Sequence, residues 1–81
     1  MVKYKKVYLD YFDLDISDFI ACEVCGSRAI DIHHIEPKGM GGSKTKDNIE
    51  NLIAVCRGCH IGCHNSKKFN NYAKEIHLKN L

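Results

Sequence analysis

The chain has no tryptophan, a single proline and, among its 81 residues, only three phenylalanines and four tyrosines. The large aromatic side chains that usually dominate burial in a small core are therefore scarce. Ordering a chain of this length costs on the order of 100 kcal/mol of conformational entropy, and its core leaves only a few kcal/mol of net stability. A constraint beyond apolar packing is expected. No apolar run approaches the roughly 18 to 20 residues that cross a bilayer. The N-terminus also lacks the basic, apolar and small-residue pattern of a signal peptide. The sequence reads as intracellular, with no membrane partner, no internal repeat and length for one domain, residues 1–81.

What is present is cysteine and histidine, five of each. An odd cysteine count argues against a disulfide framework, and four of the five fall into two C-x2-C pairs, Cys22/Cys25 and Cys56/Cys59. Each pair brings two thiolates to one ion across a tight turn, with Gly26 just after the first pair to permit a positive φ. Together they make a closed set of four thiolates, the arrangement of a structural zinc. Such binding is worth about 10 to 16 kcal/mol in small peptides. A rival set, Cys22, Cys25, His60 and His64, would imitate a zinc finger with two cysteine and two histidine ligands. Its central interval of 34 residues is far longer than the roughly 12 to 15 of such a finger, and it strands Cys56 and Cys59. His60 and His64 sit four apart and share one face of a helix.

Tyr4, Val7, Tyr8, Tyr11 and Phe12 recur at helical spacing, which predicts a helix over about 3–12 with that stripe inward. A polar turn follows through Asp13, Asp15, Ser17 and Asp18, and Phe19 and Ile20 are expected to return to the interior. Residues 29–35 alternate as a strand and end in His33-His34, whose side chains must point to opposite faces. One is suited to a metal and the other to a substrate. Residues 36–47 form a loop with three glycines and three lysines, equally suited to a DNA contact or to solvent. The apolar run Leu52–Val55 reads as the second strand of a hairpin. The C-terminal third reads as helix, inward at Phe69, Tyr72, Ala73 and Ile76, with a break near Asn65 and Ser66 as a cap. His77 is expected at the surface and Cys63 as a small buried hydrophobe. Residues 1–36 carry four Lys/Arg against seven Asp/Glu, and residues 37–81 carry eight against three. The basic half suits an anionic partner such as nucleic acid.

Taken in order, Cys22-x2-Cys25, Asp31-Ile-His-His-Ile-Glu-Pro-Lys-Gly-Met-Gly-Gly42, Asn51-Leu52 and Cys56-x2-Cys59-His60-x3-His64 resemble the HNH endonucleases. The resemblance covers residues 22–64. It implies an α+β fold with a ββα-metal (His-Me finger) core: a β-hairpin packed on a helix, stapled by the four-cysteine zinc site, with extra N-terminal and C-terminal helices. It also implies His34 as general base and Asn51 as the residue that holds the hairpin and orients that base. His33, His60 and His64 are implied as ligands of one catalytic divalent ion, with His64 matching a further ligand of the bacteriocin nucleases of the family. Asp31 shares a strand face with His33 and is expected to orient its ring.

Phosphodiester hydrolysis needs an activated water and charge stabilisation at the phosphorus and at the leaving 3′ oxygen. An imidazole, with an ordinary pKa near 6.5, suits the first task. Mg²⁺, Mn²⁺, Zn²⁺ and Ni²⁺ remain open as the ion, because imidazoles favour the later metals and Mg²⁺ favours oxygen. Lys38, Arg57, Lys67 and Lys68 are candidates for DNA phosphate contacts. The expectation is a metal-dependent DNA endonuclease of low sequence specificity, in the cytoplasm of a bacterial or phage-infected cell. Pairing into a homodimer is left open. The alternative is a zinc-stabilised nucleic-acid-binding or assembly module without activity.

Overall fold

The computed structural model describes residues 3–36 and 48–81; the glycine- and lysine-rich segment 37–47, with Lys38 in it, lies outside the described residues. Helix α1 (Lys3–Tyr11) buries Tyr8 and Leu9, and Tyr4, Val7 and Phe12 pack into the cluster around Tyr8. Burial of Leu9 turns the helix so that Tyr11, expected inside, sits on the rim at 48% exposure. Its hydroxyl donates to the Leu81 carbonyl at 3.1 Å. The helix closes with the Leu14 N–H on the Leu9 carbonyl at 2.8 Å and Asp13 in the left-handed region at φ 56°. Aspartate tolerates that conformation better than most residues other than glycine.

The chain then turns through the first cysteine pair. The Gly26 N–H bonds the Cys22 carbonyl at 2.9 Å, and Gly26 takes φ 82°, the conformation its position called for. Phe19, expected in the interior, is 65% exposed. It is the backbone that returns there, through the Ala29 N–H on the Ile20 carbonyl at 2.7 Å.

Strands β1 (Asp31–His34) and β2 (Leu52–Val55) form an antiparallel pair, with Asp31 opposite Val55 and His34 opposite Leu52. The strand expected over 29–35 is shorter in its regular part. Single bonds from Ile30 to Val55 and from Ile35 to Asn51 extend the pairing at both ends. A 3-10 turn, Ile49–Asn51, leads into β2. All four β2 residues are fully buried because the hairpin is covered on both faces. Leu52 and Ala54 meet Tyr8 of α1, whereas Ile53 and Val55 pack with Cys22, Cys59, Cys63 and Ala73. A strand covered twice has no polar side, so it reads as a continuous apolar run.

Helix α2 (Arg57–Asn65) starts at Cys56, whose sulfur accepts from the Cys59 N–H, and α3 (Lys67–Asn80) follows after one extended residue. That residue is Ser66, the expected cap. Its N–H closes α2 on the Gly62 carbonyl and its hydroxyl accepts from the Phe69 N–H at 3.1 Å. The two helices touch where Gly62 meets the Phe69 ring; a Cβ at Gly62 would lie 2.4 Å from two ring carbons. Inward on α3 are Ala73 and His77, while Tyr72 is 54% exposed, against expectation.

His77 is likewise not at the surface but fully buried. Its Nδ1 bonds the Glu23 carboxylate at 2.9 Å and its Nε2 bonds the Ile49 carbonyl at 2.6 Å. Both partners only accept, so both ring nitrogens donate and the ring is an imidazolium. Burial by itself would lower its pKa, but the bonds to Glu23 and Ile49 outweigh burial and raise it. Burial would likewise raise Glu23, and bonds from His77, Asn80 and Tyr8 hold it below its ordinary value. This network ties α1, the first cysteine turn, the 3-10 turn and α3 together from inside.

Candidate active site and metal centres

Two ligand clusters meet on α2. In the first, Cys22 and Cys59 are buried, Cys56 is half-buried and Cys25 is exposed, with all four sulfurs within 4.8 Å of one another. A tetrahedral zinc with roughly 2.3 Å bonds separates its sulfurs by about 3.8 Å, and Cys25 and Cys56 lie 3.6 Å apart. The donor set fits that ion. Hydrogen bonds from Ser27 bring the Cys25 thiol down to about 6, while burial pushes Cys59 up. Four thiolates in contact need a compensating cation, which would ionise even the buried ones. Cys63 lies buried beside the cluster with its thiol raised by burial, a packing residue as expected.

The second cluster is His33, His60 and His64, again with one ligand atom from each inside 4.8 Å. Strand alternation sends His33 toward α2, where its ring lies 5.0 Å from that of His60 and 5.1 Å from that of His64. Asp31, on the same strand face, does not orient His33 as expected. Its carboxylate bonds His60 Nδ1 at 2.9 Å, because one turn of α2 carries His60 over the start of β1. A carboxylate only accepts, so His60 carries its proton on Nδ1 and turns the Nε2 lone pair toward the cluster. That Nε2 lies 3.1 Å from His64 Nε2. Two imidazole nitrogens at this spacing share either a proton or a cation, and cis ligands of a divalent ion at roughly 2.1 Å are about 3 Å apart. Desolvation, with the neighbouring His60 and His64, lowers the pKa of His33 and favours the neutral, ligand-ready ring.

His34 points to the other face of the hairpin. Its ring meets Tyr4 of α1 edge-on, with centroids 4.7 Å apart. Asn51 stands across the end of the hairpin where the connecting segment leaves β1 and enters β2: its Oδ1 accepts from the Glu36 N–H at 2.7 Å and its Nδ2 donates to the Glu36 carbonyl at 3.0 Å. This side chain therefore bonds like one more rung of the ladder, directly after His34-Ile35. Arg57, in the first turn of α2, is exposed with its Nε 3.8 Å from Asp31. Lys67 and Lys68 are exposed in the first turn of α3, and Lys38 lies outside the described residues.

Three contributors escaped the sequence reading: Tyr4 against His34, Glu23 under the cysteine turn, and Asn70, which bonds His33. Asn70 leaves one signal in the sequence, a polar residue on the α3 stripe that continues through Ala73 and His77.

Residues 22–70 match a family model described as HNH endonuclease. Over 65 residues the chain is 35% identical to the type IV methyl-directed restriction enzyme EcoKMcrA of Escherichia coli (strain K12), covering 68% of this chain and 21% of that protein. Over 50 residues it is 36% identical to the mitochondrial DNA mismatch repair protein mutS homolog of Sarcophyton glaucum, covering 58% of this chain and 5% of that protein. The chain thus spans a small part of each relative. No solved structure gives a significant match. Among the described residues no helix is long and apolar enough to cross a membrane.

Proposed function

The chain belongs to the HNH endonuclease family, and from that premise we propose that it is a metal-dependent DNA endonuclease using one divalent ion and a histidine base. The observation that carries this reading is the convergence of His33, His60 and His64 on one point, one residue along β1 from His34. We read the hairpin and α2 as the ββα-metal core and residues 1–81 as one nuclease domain, with α1 and α3 packed on either face.

In this reading His34 accepts the proton of the attacking water. Tyr4 seats the ring from one side, and Asn51 fixes the backbone just beyond it. His33, His60 and His64 would hold the ion, which supplies positive charge for a phosphate oxygen and for the leaving 3′ oxygen. Mg²⁺, Mn²⁺, Zn²⁺ and Ni²⁺ are all candidates for that position. The base and the ion sit on opposite faces of the strand end, so a DNA strand crossing the tip of β1 could reach both. Arg57, Lys67, Lys68 and Lys38 would bind backbone phosphates, which adds affinity without sequence information. Specificity is accordingly low, and the proposed setting is inside a bacterial or phage-infected cell. One site per chain nicks one strand, and a homodimer would be needed to cut both at once.

Plasmid relaxation in Mg²⁺, Mn²⁺ or Ni²⁺ tests this reading. Wild type should nick, and His34→Ala should slow nicking by about 10² to 10⁴. Equal nicking by both removes His34 as the base, and no nicking by wild type replaces the nuclease with the zinc-stabilised nucleic-acid-binding module.

A further inference from the structure

We propose that Asn70 of α3 is a positioning residue that decides which nitrogen of His33 faces the ion site. The proposal rests on the reading of His33, His60 and His64 as one metal site. Asn70 is half-buried between α3 and the end of β1 and makes two bonds there: its Nδ2 donates to the Ile35 carbonyl at 2.8 Å, and its Oδ1 lies 2.9 Å from His33 Nε2. The first bond fixes the second. A backbone carbonyl can only accept, so the amide must turn its NH2 to Ile35 and its oxygen to His33; the flipped amide would set two oxygens against each other. An amide oxygen also only accepts, so Nε2 of His33 must carry the proton. The neutral ring then has its lone pair on Nδ1, and Nδ1 is the atom left for a cation.

His33 and His60 are thus set in opposite senses by different partners. Asp31 accepts from the δ nitrogen of His60, which holds the proton there and frees ε. The Asn70 oxygen accepts from the ε nitrogen of His33, which holds the proton there and frees δ. The two partners differ in charge. Asp31 adds a negative charge beside the cluster, whereas Asn70 directs the proton without adding one. The same amide ties α3 to the residue that follows His34, so one side chain links the proposed metal ligand to the backbone beside the proposed base. Metal-ligating imidazoles generally take a second partner on the other nitrogen, and losing that partner typically costs 10- to 100-fold in affinity.

The test uses zinc-loaded protein whose second site has been cleared by mild chelation. Nitrogen-15 NMR of the His33 ring reads its tautomer, and Ni²⁺ calorimetry reads the affinity of the histidine cluster. Wild type should show the Nε2–H tautomer. Asn70→Ala should show a mixture and bind Ni²⁺ 10- to 100-fold more weakly. Asn70→Asp keeps the acceptor and loses the donor to Ile35, so it should retain the tautomer and most of the affinity even if its melting temperature falls. An Nε2–H tautomer or an Ni²⁺ affinity unchanged in Asn70→Ala overturns the proposal, as does Asn70→Asp behaving like Asn70→Ala. A wild type that shows the tautomer but takes up no Ni²⁺ overturns the metal-site reading itself, and this role with it.

Discussion

Cys59 and His60 are adjacent on α2, yet the clusters they join are built on opposite principles. The cysteine set is closed: four ligands from two turns, packed against Ile53, Val55 and Ala73, with Glu23 locked beneath it by a buried imidazolium. The histidine set offers three donors and grades from buried His33 to exposed His64. Four protein ligands leave an ion nothing further to bind, whereas three leave positions for substrate. Placing both on one helix lets the closed cluster fix where the open one points. The Cys56 sulfur accepts the Cys59 N–H at the first turn, so the start of α2, and with it His60 and His64, is set by the cysteine cluster.

The comparison is tested most severely by removing one ligand from each side. Cys22→Ser, or strong chelation, should forfeit a stabilisation on the order of 10 kcal/mol and abolish the cooperative melting transition seen by circular dichroism. His60→Ala should leave that transition within a few degrees of wild type while nicking falls below detection. Native mass spectrometry should then count one ion retained by His60→Ala and none by Cys22→Ser. A Cys22→Ser variant that melts like wild type would make the two clusters equivalent.

What the sequence carried of this division follows from distance along the chain. The cysteine pairs, the alternation of His33 and His34, the doubly covered run Leu52–Val55 and the Ser66 cap are each written within a few residues, and each is where local rules put it. Asp31 with His60, Asn70 with His33 and Glu23 with His77 are 29, 37 and 54 residues apart. No periodicity links such pairs. A lone histidine among lysines on a last helix looks solvated, and only folding reveals the carboxylate that makes its burial tolerable. Tyr11 and Tyr72 err the other way, because an apolar residue at helical spacing is free to sit on the rim, and so does Phe19 in the turn before the first cysteine pair, where only the backbone returns inward.

The buried pair gives the next largest effect and bears on the closed side alone. His77 faces Glu23 from the cysteine turn, Tyr8 from α1, Glu50 and the Ile49 carbonyl from the 3-10 turn, and no second cation among the groups that shift it. Its pKa is raised by folding, so its contribution is fully present below the ordinary value near 6.5 and is lost as pH rises through the folded pKa. His77→Gln should cost about 3 to 5 kcal/mol while the pair is charged. In zinc-loaded protein the gap in melting temperature from wild type should narrow as pH rises above about 6.5. A gap that widened with pH would mean the ring is buried neutral. Ni²⁺ binding at the histidine cluster should be unchanged throughout.

The smallest effect probes how tightly the two clusters are geared. Gly62 lies between His60 and His64, and its missing side chain is what allows the Phe69 ring against α2. Alanine there favours the helix by about 1 kcal/mol, but overpacking typically costs about 1 to 3 kcal/mol, and a contact of 2.4 Å leaves no room without movement of the ring. Gly62→Ala should therefore lose about 1 kcal/mol net in urea unfolding. The displacement would fall on α3 beside Asn70, so it reaches His33 through the amide rather than through α2. Ni²⁺ affinity should drop severalfold while the cysteine cluster keeps its zinc. If affinity held while stability fell, α2 alone would position the histidines, and the link through α3 would carry no weight.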